Sequence, residues 1–215
     1  IHILNSNIVS DLFMAQDVEV VILGTAQDGG IPQAGCSCMN CIGAHNDGKL
    51  KRNPVCCGIK GADGSFHLIE AGRKLADQIM LWSKKMNLEN IKKPETVSIT
   101  HLHLGHIDGL GQFGKEVMNC KDFPLFASME NIKILKKKKN LSPFDCKQIK
   151  SNEEFSPTIT CGFQLKFIQV PHRDEEGDTH AILIIGPNKS LLFLPDHDYW
   201  DETLMKYNKK TIREW

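Results

Sequence analysis

The sequence predicts a layered α/β protein with mixed sheets, and three observations lead there. Apolar, β-branched stretches of strand length outnumber amphipathic helical stretches; the strands come as hairpins on both sides of segments that alternate strand and helix; and no Gly-x-Gly-x-x-Gly follows the first strand, which removes the usual dinucleotide-binding fold. The chain has 215 residues, 41% of them hydrophobic and 24% charged, enough apolar material for one core, and neither repeats nor a linker divide it. One domain over 1–215 is expected.

Taken in order, residues 17–24 read as a strand rich in valine and isoleucine and stopped by Gly24, followed by a glycine-rich loop to Gly35. Residues 55–60 and 66–70 are two short strands joined by Gly61–Ser65, whose Asp63-Gly64 marks a hairpin turn. Leu75, Ile79, Trp82 and Met86 recur at helical spacing, so 73–85 is an amphipathic helix leading back to a strand at 96–100. A helix over 108–117 is expected next, opened by Asp108 as N-cap, with Gly109, Gly111 and Gly114 marking close packing of its start. A strand at 124–127 precedes a helix over 128–138, capped by Ser128 with Glu130 in its first turn, and the lysines at 136–139 read as its solvated end. Strands at 163–170, 180–186 and 190–194 and a helix from Trp200 complete the chain.

Charge and cysteine usage narrow the function. Lys+Arg 26 balance Asp+Glu 26, so no global field draws the protein to polyanions, and no nucleic-acid partner is expected. No apolar run approaches the roughly 20 residues of a spanning helix, and the N-terminus lacks the basic and apolar regions of a signal peptide, so a soluble, cytoplasmic protein without a membrane partner is expected. The eight cysteines are clustered rather than spread as a disulfide framework, which favours reduced thiols and metal. Cys36, Cys38 and Cys41 are expected to hold a structural zinc, because thiolates in a tight loop lock a segment that has little core of its own. A fourth ligand is needed; His45, Cys56 and Cys57 are the local candidates, although adjacent strand positions make Cys56 and Cys57 better suited to packing.

The sharpest signal is Thr100-His101-Leu102-His103-Leu104-Gly105-His106-Ile107-Asp108-Gly109. Alternate residues of an extended segment share a face, so His101 and His103 point together, and His106 follows where the chain turns back. Neutral imidazoles with an open position make a catalytic site for zinc, with iron or manganese as alternatives. His172 and Asp196 each stand at the mouth of a later strand and supply a further imidazole and a carboxylate, while His2 and His67 are expected to play no part.

A strand running into His-x-His-x-x-His, a later histidine and a later apolar strand ending in Asp resembles the ligand order of the metallo-β-lactamase superfamily, and Leu68-Ile69-Glu70-Ala71-Gly72 resembles that family's acidic-Ala-Gly turn. Residues 23–33 with the cysteine cluster are similar to a branch that includes pyrroloquinoline quinone biosynthesis protein B. The resemblance implies an αββα sandwich of two mixed β-sheets flanked by helices. It further implies a metal-dependent hydrolase of a small ester or phosphodiester, with His101, His103, His106, His172 and Asp196 as metal ligands and Asp196 and His106 acting on the nucleophilic water. An iron-dependent oxygenase, or a carrier with a degenerate site, are the alternatives it leaves. The family usually supplies a last histidine from a segment after the metal-bridging Asp; this sequence ends about twenty residues past Asp196, so a missing C-terminal portion is expected. The family's common pattern is His-x-His-x-Asp-His, whose Asp binds a second ion. Here Gly105 stands in that place, so a site dominated by one metal is expected, with Asp108 or the missing C-terminal segment as the candidates to compensate.

Overall fold

Alternation along the strands sorts their side chains into three apolar layers. The computed structural model describes residues 17–173 and 176–215, so His2 lies outside the described residues. Six strands form one sheet in the order β1 (Glu19–Gly24), β2 (Cys56–Lys60), β3 (Phe66–Ile69), β4 (Thr96–Ser98), β5 (Phe123–Ser128), β6 (Phe144–Ile149). β1, β2 and β3 pair antiparallel and β3 to β6 pair parallel. The second sheet, antiparallel throughout, has the order β10 (Ser190–Phe193), β9 (Thr179–Ile185), β8 (Gln164–Val170), β7 (Glu154–Phe155).

Cys57, Ile59 and Ile69 of the first sheet meet Leu165, Phe167, Ile182 and Ile184 of the second in the central layer. Their alternate neighbours Cys56, Phe66 and Leu68 face the other way, onto Leu75, Ile79 and Trp82 of α2 (Leu75–Lys85). Ile132 and Leu135 of α4 (Met129–Lys138) join the same outer layer. On the far side Ile168, Val170, Ala181 and Leu183 are covered by Tyr207 and Trp215, which follow α5 (Trp200–Lys206). Helix, sheet, sheet, helix is the αββα sandwich. Among the described residues no helix is long and apolar enough to cross a membrane.

Four elements depart from the sequence expectation. The helix α1 (Met39–Asn46) carries no apolar stripe: Met39 and Ile42 are exposed and only Cys41 and Ala44 are buried. β6 and β7 also went unread, β6 because it is a sheet edge whose central residues are polar. The helix expected over 108–117 is instead the short α3 (Leu104–Ile107) and a 3₁₀ turn at Leu110–Phe113. Its glycines explain the break. The Gly109 N–H donates to the Ala71 carbonyl at 2.7 Å, and a Cβ there would overlap the Gly72 carbonyl oxygen, so the backbone docks on the turn after β3 rather than continuing a helix. Asp108 follows α3 instead of capping a helix start, and its carboxylate pairs with Arg73 at 3.0 Å and Lys139 at 3.2 Å. The Ser128 hydroxyl does cap α4, accepting the Asn131 N–H.

His67 is buried in β3 between Ser65 Oγ at 2.7 Å and Thr96 Oγ1 at 3.0 Å, away from the other histidines. Burial lowers its pKa to about 4, against an opposing pull from Asp63. Between pH 4 and pH 6.5 the unfolded chain therefore binds a proton that the folded chain does not. The resulting stability is complete above pH 6.5 and is lost as pH falls, by about 2 kcal/mol down to pH 5. Urea denaturation at pH 7 and pH 5 should show this loss, reduced by about that amount in His67→Asn; an equal pH dependence in both proteins would refute it.

Candidate metal centre

One end of the sandwich collects the chain segments that leave β1, β3, β4, β8 and β10. The segment after β4 is pinned at Thr100, whose N–H donates to Glu70 Oε1 at 3.3 Å and whose carbonyl accepts the His180 N–H at 3.1 Å. His101 and His103 extend from it, His103 at the N-terminal boundary of α3 and His106 within that helix. His172 follows β8 and Asp196 follows β10.

These five residues come together. His101 Nε2 lies 3.0 Å from His103 Nδ1, and the His172 ring centre lies 5.4 Å from that of His101 and 5.1 Å from that of His103. One ligand atom from each of these three histidines falls within 4.8 Å of the others, as it does in a second group of His101, His106 and Asp196. His101 belongs to both groups, and within the second Asp196 Oδ2 lies 3.4 Å from His101 Nε2 and 2.9 Å from His106 Nε2. His172 Nε2 and both ring nitrogens of His106 are buried and make no hydrogen bond within the protein. A buried nitrogen without a partner is costly, and a cation satisfies it. The donor set of imidazoles and a carboxylate suits zinc, iron or manganese.

Carboxylates behind the imidazoles orient them. Glu70, fully buried, has a left-handed backbone (φ 71°) that turns the chain sharply at the end of β3 and brings Oε2 to 3.4 Å from His106 Nδ1. Asp198 accepts from His172 Nδ1 at 2.9 Å and from the Arg173 N–H at 3.3 Å, leaving Nε2 as the atom His172 presents. Such carboxylate–histidine pairs fix ring orientation and raise ligand basicity. The electrostatics follow. Burial, then the neighbouring His106, lowers His101 to about 2, so it is a neutral donor. Burial opposes charge on His106 as well, but Glu70 and Asp196 outweigh it and raise His106 to about 10, while the adjacent His106 ring, 2.9 Å from Asp196 Oδ2, holds that carboxyl at about 2. The protein thus offers two carboxylates to whatever cation occupies this position.

His197 contacts Thr203 Oγ1 at 2.9 Å and His180 contacts Ser151 Oγ at 2.7 Å, and neither joins the group. Sequence reasoning did not assign Asp28, whose Oδ1 lies 3.7 Å from His106 Nε2, or the orienting role of Asp198. For Asp198 the signal was its place two residues beyond Asp196; for Asp28 no local pattern existed.

A second cluster lies on the loop into α1. Gly35, at φ 73°, turns the chain so that Cys36, Cys38 and Cys41 bring their sulfurs within 4.8 Å of one another, and the Gln33 N–H donates to Cys41 Sγ at 3.4 Å. The backbone hydrogen bond from Cys41, then the Cys36 thiol, lowers Cys38 to about 7. The Gln33 N–H lowers Cys41, but burial and its two thiol neighbours outweigh this and raise it. His45, Cys56 and Cys57 do not join the cluster; Cys56 and Cys57 are buried on opposite faces of β2.

A family model described as a β-lactamase superfamily domain matches residues 67–211. Among curated proteins the chain is similar to coenzyme PQQ synthesis protein B of Rhodopseudomonas palustris. It is 35% identical over 63 residues to the protein of strain TIE-1 (29% of this chain, 20% of that protein). To that of strain BisB5 it is 23% identical over 150 residues (67% and 48%). The chain therefore spans about half the length, or less, of the curated relatives it matches. Among solved structures, zinc-bound PqqB from Methylobacterium extorquens superimposes with a TM-score of 0.69 at 20% identity, over 87% of this chain and 68% of that one. A diphosphatase of the PhnP family gives 0.58 at 21% identity, over 78% and 62%. At these identities the shared property is the fold.

Proposed function

The chain belongs to the β-lactamase superfamily domain family, and from that premise we propose that it is a metal-dependent hydrolase of small ester or phosphodiester substrates. The observation that carries the reading is the meeting of His101, His103 and His172 with Asp196 and His106 around buried imidazole nitrogens that the protein itself leaves without hydrogen bonds. Zinc in the solved PqqB neighbour and the diphosphatase activity named for the PhnP-family neighbour support a metal and a hydrolytic reaction.

His101, His103 and His172 hold the principal ion, for which we favour zinc, and Cys36, Cys38 and Cys41 hold a separate, structural zinc. A bound divalent ion supplies Lewis acidity and lowers the pKa of water to about 7. Asp196, ionised and placed between His101 and His106, orients the attacking water and accepts its proton, and Glu70 keeps His106 turned toward Asp196. A cleft of about 790 Å³ adjoins the centre at Asp28 and Leu104, and Arg73, paired with Asp108, and Lys74, near Asp77, line it as well. The balanced net charge of the chain supports a small substrate over a nucleic acid.

Elemental analysis of protein purified without added metal, combined with assays on p-nitrophenyl esters and bis(p-nitrophenyl) phosphate, tests the reading. Zinc at the histidines, hydrolysis abolished by chelation and activity restored by zinc are expected. Iron at the histidines with oxygen consumption, or no metal there, would overturn it.

A further inference from the structure

The turn after β1 places a carboxylate against the centre from a part of the chain far from the histidine motif. The Ala26 N–H donates to the Asn53 carbonyl at 3.0 Å, the Gly30 N–H to the Gln27 carbonyl at 2.8 Å, and Ile31 exchanges two backbone hydrogen bonds with Arg52. This clamped turn presents Asp28 to His106, with Oδ1 3.7 Å from Nε2, the same nitrogen that lies 2.9 Å from Asp196 Oδ2.

Gly105 explains why the carboxylate comes from there. A Cβ at position 105 would overlap Asp28 Cα and stand 2.7 Å from Asp28 Cγ. The space in which a side chain from position 105 would start is filled by Asp28, and an aspartate cannot be accommodated at 105 unless the turn after β1 moves. Asp108 is not an alternative source, because Arg73 and Lys139 hold its oxygens. His106 supplies an independent sign of a missing ligand: it is fully buried, its Nδ1 side is met by Glu70, and its Nε2 makes no hydrogen bond although it faces two carboxylates.

We propose that Asp28 replaces the carboxylate that position 105 lacks, so that Asp28, His106 and Asp196 form a second cation position beside the ion held by His101, His103 and His172. The inference rests on the metal-dependent reading of the centre, and it departs from the expectation of a site dominated by one metal. Two carboxylates and an imidazole offset the charge of a divalent ion, and Asp28 is half-exposed at the wall of the cleft, where such an ion is open to substrate oxygens.

Manganese(II) titration of the metal-stripped protein, with free ion counted by electron paramagnetic resonance, tests this. Manganese prefers oxygen and imidazole donors to thiolates, so the cysteine loop does not register. The wild type should take up two equivalents, with an exchange-broadened signal from the neighbouring pair. Asp28→Asn, of nearly the same shape, should take up one, with the affinity of that first ion changed less than about threefold. Two equivalents of unchanged affinity in Asp28→Asn, or one in the wild type, would overturn the proposal while leaving the hydrolase reading intact. A wild type that binds neither manganese nor zinc beyond the cysteine loop would remove both. Equal melting temperatures of the metal-stripped proteins control for folding, and Asp28→Ser replaces the asparagine variant if they differ.

Discussion

Replacing His172 by alanine is expected to remove the principal ion and lower hydrolysis by about 10³-fold or more, while the metal-stripped variant still folds. His172 contributes one of three imidazoles, and a divalent ion left with His101 and His103 keeps too few protein ligands to be fixed in a preorganised site. The rate falls with it, because both the low pKa of the water and the polarisation of the substrate come from the ion. His101→Ala and His103→Ala should behave alike, since the three histidines act on one ion. Asp198→Asn separates orientation from ligation. It keeps the shape at the 2.9 Å contact to His172 Nδ1 but removes the charge, and loss of such a supporting carboxylate typically costs about 10- to 100-fold in metal affinity. Its activity should therefore recover as zinc is added in excess, whereas that of His172→Ala should not. Full metal occupancy in His172→Ala would show that the segment after β8 does not ligate.

The same distinction, between what adjoins in sequence and what adjoins only in space, governs how much of this centre was legible. His101, His103 and His106 sit in one short segment whose extended geometry declares their common direction. His172 and Asp196 were legible more weakly, each as a polar residue at the end of an apolar strand, and it takes the second sheet to bring them across. Asp28 carries no such mark, because its partner lies at position 105 and only the sheet, in which β2 and β3 stand between β1 and β4, brings the two together. The fold divides in the same way. β9 and much of β8 read as apolar runs of strand length because both faces are covered, by different layers. α1 has no apolar face to read, since its residues are organised by the cysteine loop rather than by the core. The glycine at 109 misled the helix assignment for a related reason: it signals backbone contact with the turn after β3, and such contact interrupts a helix as readily as it packs one.

That dependence of α1 on the cysteine loop sets the second large effect. Cys38→Ser is expected to lower zinc content by one equivalent and to destabilise the protein by about 3 kcal/mol or more, with the loss concentrated in residues 33–50. Cys36, Cys38 and Cys41 stand on a loop whose neighbours Met39, Ile42 and Leu50 are exposed, so apolar burial contributes little to its order. An ion that binds only the folded loop stabilises it by RT ln(1 + [L]/Kd), about 2.7 kcal/mol at a hundredfold excess over Kd, and structural zinc sites bind far more tightly than that. Serine removes the soft donor while nearly preserving size, so packing around position 38, already exposed, is not what changes. Hydrogen exchange of the α1 amides reports the local effect, and thermal unfolding reports the global one. Zinc addition should raise the melting temperature of the metal-stripped wild type but not, through this loop, that of the variant. Because the three sulfurs form a group separate from the histidines, the variant should keep its zinc at the centre. Unchanged zinc content together with unchanged α1 exchange in Cys38→Ser would mean that the three cysteines are free thiols and that the loop is ordered by its backbone hydrogen bonds alone.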